Sequence, residues 1–210
     1  MRQPLAILFV CTGNMCRSPL AERLARAWLL RAAINGIEVS SAGTHAVVGA
    51  RIHPDTAVVL QRLGGDPEGF SGRQLTRQMA DDAGLILTAA RSHCETVAAL
   101  CPAAVARTFT LRELAALTAA VPAGDICAMA DAAARARALT AAAVPLRELL
   151  AAWPADRLDI PDPVGRSMAM QEATASAIAD ALAGPLALIA GLPGLIGLIA
   201  GQPGSGTPVS

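Results

Sequence analysis

Cys11-Thr12-Gly13-Asn14-Met15-Cys16-Arg17-Ser18 stands between an apolar run, Leu5-Ala6-Ile7-Leu8-Phe9-Val10, and a helix-like segment that opens Pro19-Leu20-Ala21-Glu22. A short apolar run bounded by a Gly/Asn turn reads as a buried parallel strand. A strand, a tight turn and a helix start bring backbone N–H groups together with nothing in the chain to bond. Such a concavity, backed by the positive end of the helix dipole, binds an oxyanion of the size and charge of phosphate.

The residue types say what happens to that anion. Cys11 ends the strand facing the loop, where converging amides and Arg17 favour the reactive thiolate. Arg17 curls back over the same cavity and holds two phosphate oxygens through its planar fork, which Lys cannot do. Gly13 is expected to supply a backbone conformation closed to other residues. Asn14 tolerates left-handed geometry and bonds its own loop. Ser18 is placed to give its hydroxyl to the thiolate. Thr12, Met15 and Cys16 complete the cradle as substrate-binding positions.

Val-Cys-x-Gly-Asn-x-Cys-Arg-Ser-Pro-x-Ala-Glu, read from Val10 to Glu22, resembles the signature of the low-molecular-weight protein tyrosine phosphatases. A bare Cys-x5-Arg arises by chance in many chains, but the extended match after an N-terminal strand is specific. The resemblance implies that Ser41 props Asn14, and that a late Asp-Pro pair, here Asp162-Pro163, supplies a general acid. It implies phosphotyrosine on proteins as substrate, hydrolysed through a phosphocysteine on Cys11. Met15 agrees, because tyrosine phosphatases of this family carry a bulky aliphatic there and the related phosphoarginine enzymes a threonine. Some positions depart from the family pattern. Val164 replaces the aromatic that usually follows the Asp-Pro pair, Val47-Val48 replaces another, and Ala89-Ala90 stands where relatives often have Met-Asp.

The acid is also demanded by chemistry. The leaving oxygen of a phosphate monoester needs a proton as it departs, and Pro163 stiffens the loop that carries Asp162. Asp159 is the rival candidate, read as a solvated loop carboxylate.

Outward from the loop, spacing gives an α/β fold. The helix after it runs from Pro19 to Ala33, with Ser18 as N-cap, and stops at Asn35-Gly36. Strands follow at Ile37–Ser40, Leu85–Thr88 and Val105–Thr110, separated by helices at His53–Leu63, Leu75–Asp82 and Arg91–Leu100, with another at Leu111–Leu117. Strands alternating with helices imply βαβ units. The expected architecture is a three-layer sandwich with a central four-stranded parallel sheet and the phosphate-binding loop after the first strand. Residues 118–158 are Ala-rich, with helical patches at 128–143 and 145–153 that lack a clear apolar stripe. They read as a partly helical excursion within one phosphatase-like domain, residues 1–190. A final helix covers about 167–190, followed by an apolar, Gly/Pro-rich flexible tail, 191–210. Leu182–Ala200 has nearly the length of a membrane span. Gly184, Pro185, Gly191, Pro193, Gly194 and Gly197 interrupt it, which favours a core helix and tail.

Composition narrows the rest. The 210 residues carry no formal net charge, so nothing points to nucleic acid. An odd set of five cysteines argues against a secreted disulfide framework, and the N-terminus enters the first strand almost at once. A reducing cytoplasm is the expected compartment. His45, His53 and His93 are too scattered to ligate a metal and read as surface or cap residues; no metal or cofactor is expected. Two alternatives remain open. An arsenate reductase on this fold would use Cys94 and Cys101 as a redox relay, and a phosphoprotein-binding module would hold the anion without turnover.

Overall fold

Successive side chains of the first strand, β1 (Leu5–Cys11), point into two separate cores, and the chain is laid out on either side of them. Leu5, Ile7, Phe9 and Cys11 face one core, and Leu8 and Val10 the other. The period of two is that of a strand covered on both faces. The computed structural model describes residues 4–193.

β1 pairs in parallel with β2 (Ile37–Gly43) and with β3 (Leu85–Thr88), and β3 pairs with β4 (Thr108–Thr110), giving the order β2-β1-β3-β4. The helix between the first two strands, α1 (Arg17–Arg31), packs Leu20, Leu24 and Trp28 into the first core. Past β2, α2 (Pro54–Arg62) adds Val59 and Leu60 to that core. α3 (Arg77–Asp82) and α4 (Arg91–Leu100) cover the opposite face with Ala80 and Val97. The order reverses on either side of β1, so its carboxyl end opens into the crevice where doubly wound sheets hold ligands. Cys11 sits at that end, opposite Gly43.

α5 (Leu111–Thr118) follows β4 behind a capping box, Thr110 with Glu113. Beyond it come α6 (Ala123–Cys127), α7 (Ala132–Ala143), a 3-10 stretch Val144–Leu150, and the short α8 (Ala155–Leu158). α7 buries Ala132, Ala133, Ala136, Leu139 and Ala143, a helical stripe made almost wholly of alanine. Alanine does not stand out as apolar in an Ala-rich stretch, which is why the stripe is invisible in the sequence. The last helix, α9 (Met168–Ala190), takes Ser167 as its N-cap and packs on α1, α5 and α7. Arg135 of α7 donates to the carbonyls of Ile189 (2.7 Å) and Ala190 (3.4 Å), placing a cation on the last turn of α9.

Some elements depart from the expectations. α1 starts at Arg17 with Cys16 as its cap, because the carbonyl of Cys16 already accepts from Leu20 N at 3.0 Å and the Ser18 hydroxyl is drawn elsewhere. It stops at Arg31, and Ala33 (φ 53°) turns the chain before Gly36 is reached. β4 is short: Pro102–Arg107 is a 3-10 stretch, pinned when Arg107 donates to the carbonyls of Ala80, Ala83 and Ala103. α9 runs straight through Gly184 and Pro185. Burial of Leu182, Leu186 and Ile189 offsets the cost of an interior proline, about 3 kcal/mol. By length and composition α9 could cross a membrane, but 67% of its most apolar stretch is buried in the fold. The tail beyond Pro193, with the far end of the stretch to Ala200, lies outside the described residues.

Candidate active site

The loop between β1 and α1 is held open by its own carbonyls. Those of Cys11, Thr12 and Gly13 accept from the amides of Thr44, His45 and Val47 at 2.8–3.0 Å, and Met15 O accepts from His53 N at 2.9 Å. A trans peptide that turns its C=O outward turns the next N–H to the other side. The segment after β2 and the start of α2 therefore fix the loop as a ring of inward-facing donors, a nest for an oxyanion.

Asn14 locks that shape. It is left-handed (φ 53°), and both hydrogens of its amide nitrogen are used. Nδ2 donates to Ser18 Oγ (2.8 Å) and Ser41 Oγ (2.9 Å), while Oδ1 accepts from Arg73 N (2.8 Å). Ser41 donates in turn to Glu22 Oε2 at 2.7 Å, and Glu22 is neutralised by Arg26 at 3.1 Å. The carboxylate can only accept, so it fixes the direction of the Ser41 hydroxyl, which fixes the amide of Asn14. Ser41 and Asn14 thus meet as the resemblance implied; Glu22 and Arg73 are further members that the residues alone did not mark.

Gly13 is not where the unusual backbone lies, since its φ is outside the left-handed range and a side chain there would meet open space. The indispensable glycine is Gly43. A Cβ on it would stand 2.4 Å from Thr12 O and 3.0 Å from Asn14 N, both backbone atoms that cannot swing aside. Gly43→Ala should cost about 3 kcal/mol or more and weaken phosphate binding with it, as read by chemical denaturation and titration calorimetry. Wild-type stability in that variant would mean that β2 does not support the loop.

Cys11 is 2% exposed, and its Sγ lies 3.0 Å from Ser18 Oγ. Ser18 Oγ also lies 3.3 Å from Ala42 O. The hydroxyl has one hydrogen, so it serves Ala42 while Cys11 is a thiol and turns to the sulfur when Cys11 ionises. Arg17, 6% exposed, donates through one terminal nitrogen to Ile160 O at 3.2 Å and through the other to Asp162 Oδ2. Asp162 Oδ1 accepts from Val164 N at 3.2 Å, a local turn across Pro163. This loop is moored at Ile160 N to Ala89 O (2.7 Å) and at Pro163 O to Gln171 Nε2 (2.9 Å). Asp159 stands apart. Its Oδ1 accepts from Arg91 N at 2.8 Å, so it caps the first turn of α4 and is not merely solvated.

Two predicted positions differ in detail. The Cys16 thiol is hydrogen-bonded to Thr56 behind the loop, and burial pushes it up to about 11. His93 is no surface or cap residue: it is buried, with Nε2 2.9 Å from Thr12 Oγ1. His45 is exposed beside Thr44, and His53 precedes α2. Among the described residues no three His, Cys, Asp or Glu side chains group to hold a metal.

With this geometry in place, comparison with known proteins is specific. The family model of the low molecular weight phosphotyrosine protein phosphatases matches residues 6–124, more than half of the chain, and the protein belongs to that family. It is similar to the low molecular weight protein-tyrosine-phosphatase Etp of Escherichia coli K12, with 42% identity over 97 residues, 46% of this chain and 62% of that protein. It is also similar to a protein-arginine-phosphatase of Geobacillus stearothermophilus, with 36% identity over 110 residues, 52% of this chain and 71% of the other. The crystal structure of the Erwinia amylovora tyrosine phosphatase AmsI superposes with a TM-score of 0.60 over 87% of this chain and 91% of that one. At 24% identity it shows the shared fold alone.

Proposed function

We propose that the protein is a phosphatase that hydrolyses phosphotyrosine on proteins through a phosphocysteine intermediate. The observation that carries this reading is the convergence of Cys11, Arg17 and Asp162 on one ring of inward-facing amides. The substrate's phosphoryl group takes the place of Asp162 on the guanidinium, and the freed carboxylate takes up a proton from solvent. The Cys11 thiolate attacks phosphorus, the bond to the ester oxygen breaks, and Asp162 gives that oxygen its proton. Water then attacks the phosphocysteine, the Asp162 carboxylate takes a proton from it, and the S–P bond breaks to return the thiolate and release inorganic phosphate. Arg17 and the loop amides hold the equatorial oxygens through both steps.

An aryl ester is supported by the apolar residues beside the loop: Val47, Val48 and Val164 are exposed on the segments flanking it, and Met15 is half-buried in it. An apolar ring is better served there than the guanidinium of phosphoarginine. Parallel assays with phosphotyrosine and phosphoarginine peptides test this directly; preference for phosphoarginine would reverse the substrate assignment. The arsenate reductase alternative has no observation in its favour. Burial pushes the Cys94 thiol up to about 11 against Thr88, and the Asp81 carboxylate, accepting from Cys101, holds that thiol up as well.

We further place residues 1–190 in one phosphatase-like domain, supported by the core that α7 and α9 share with α1 and β1. The partner is a phosphorylated protein. The five free cysteines suit a reducing cytoplasm, which cell fractionation would test. Cys11 and Cys16 lie on one tightly curved loop, both buried and both free. Peroxide is expected to inactivate reversibly by linking them, protecting the nucleophile from irreversible oxidation. Mass mapping should find the Cys11–Cys16 link, whereas a Cys94–Cys101 bridge would move weight to the reductase.

A further inference from the structure

We propose that His93 is a positioning residue for the chemistry at Cys11, acting through the hydroxyl of Thr12; this rests on the phosphatase reading. The ring is 5% exposed and lies on α4, far along the chain from the loop it touches. Nε2 is 2.9 Å from Thr12 Oγ1, while Nδ1 is buried and meets no partner. That orphan decides the tautomer. With hydrogen on Nδ1, a buried N–H donor would be left unpaired, which folded proteins rarely tolerate. With hydrogen on Nε2, only an acceptor nitrogen goes unused, and Nε2–H donates to Thr12.

The ring also stays neutral. Burial, and then the Arg17 charge, hold it down to about 4, against smaller opposing pulls from Asp159 and Asp162. A second proton would sit on Nδ1 with no acceptor, on a ring already repelled by the Arg17 charge. The neutral donor is therefore the working form across the neutral range.

The consequence falls on Thr12. A threonine hydroxyl has two lone pairs and one hydrogen. His93 fills one lone pair, and Arg17 donates to the other at 3.5 Å. The hydrogen is the one valence left. Thr12 is exposed at the mouth of the loop, directly after Cys11, so that hydrogen is held for an oxygen of the bound phosphate ester. A hydroxyl on its own rotates freely; His93 gives it a direction before substrate arrives, which is what preorganised donors contribute to catalysis. A ring that only filled space would need no polar edge against the loop.

The test is steady-state kinetics with p-nitrophenyl phosphate for His93→Phe, His93→Gln, Thr12→Val and the double variant His93→Phe/Thr12→Val, with thermal unfolding of each. Phe keeps the bulk and removes the donor; Gln restores an N–H close to Nε2. We expect His93→Phe to lower kcat about 10-fold with KM within about 2-fold, and Gln to recover most of the loss. Thr12→Val should match His93→Phe, and the double variant should be no worse than either, since both remove one oriented hydroxyl. The inference is overturned if His93→Phe turns over normally, if Gln fails as badly as Phe, or if the two losses multiply in the double variant. An inert wild type would instead overturn the phosphatase reading, and this inference with it.

Discussion

Cys11→Ser is expected to abolish turnover of p-nitrophenyl phosphate while phosphate and vanadate still bind. The substitution changes one atom at a site whose anion cradle is built by other groups. The carbonyls of Cys11, Thr12, Gly13 and Met15 are tied outward by Thr44, His45, Val47 and His53, and none of those bonds involves the sulfur. Arg17 keeps its fork, and Ser18 keeps a partner. Only the nucleophile is lost, because a serine hydroxyl ionises far less readily than a thiol in the same place. Arg17→Lys should fail nearly as badly, by about 10²–10³-fold, the scale of removing an oriented charge-stabilising donor. A point charge can answer Asp162 but cannot hold two phosphoryl oxygens in a plane. Appreciable hydrolysis by Cys11→Ser, or near-normal turnover by Arg17→Lys, would remove that residue from the chemistry.

The second large effect belongs to Asp162. A general acid matters in proportion to how badly the leaving group needs a proton. Phenyl phosphate releases a basic phenoxide, and p-nitrophenyl phosphate a far more stable anion. Asp162→Ala should therefore slow phenyl phosphate much more than p-nitrophenyl phosphate, within about 10²–10⁴-fold, and flatten the alkaline limb of the pH–rate profile. The structure adds a second expected result. Asp162 occupies the Arg17 guanidinium in the absence of substrate, so an anion must displace a carboxylate to bind. Asp162→Ala should bind phosphate more tightly than wild type even as it turns over more slowly. Asp159→Ala should do neither, since its carboxylate serves Arg91 N at the start of α4. Equal losses for both leaving groups would refute the acid role of Asp162.

What was legible in the sequence is what lies within one short stretch or on a strongly patterned element. β1, the loop and the start of α1 follow from the eighteen consecutive residues Leu5 to Glu22, and Leu85–Thr88 and Arg91–Leu100 are bounded as expected. The Asn14–Ser41 pairing came from resemblance and Asp162 from resemblance and the need for an acid; Asn14 does bond Ser41, and Asp162 stands on Arg17. The rest depends on contacts between distant segments that no local pattern encodes. His93 reaches Thr12 only because α4 packs beside the end of β3 with that face toward the loop. Gly43 is required by close approach of two backbones, not by its own φ, so reading glycine for conformational freedom pointed to Gly13 instead. Glu22, the last residue of the signature, has its role only through Ser41, which meets it at 2.7 Å from another strand. The 118–158 region hid its order because alanine supplies both the buried face of α7 and its background.

The most direct test of the central claim is a rapid acid quench of wild-type protein turning over p-nitrophenyl phosphate, followed by mass mapping. A phosphoryl group on the sulfur of Cys11, formed with the burst of nitrophenol and absent from Cys11→Ser, is the expected result. A phosphoryl group on any other residue, or a nitrophenol burst with Cys11 unmodified, would contradict it.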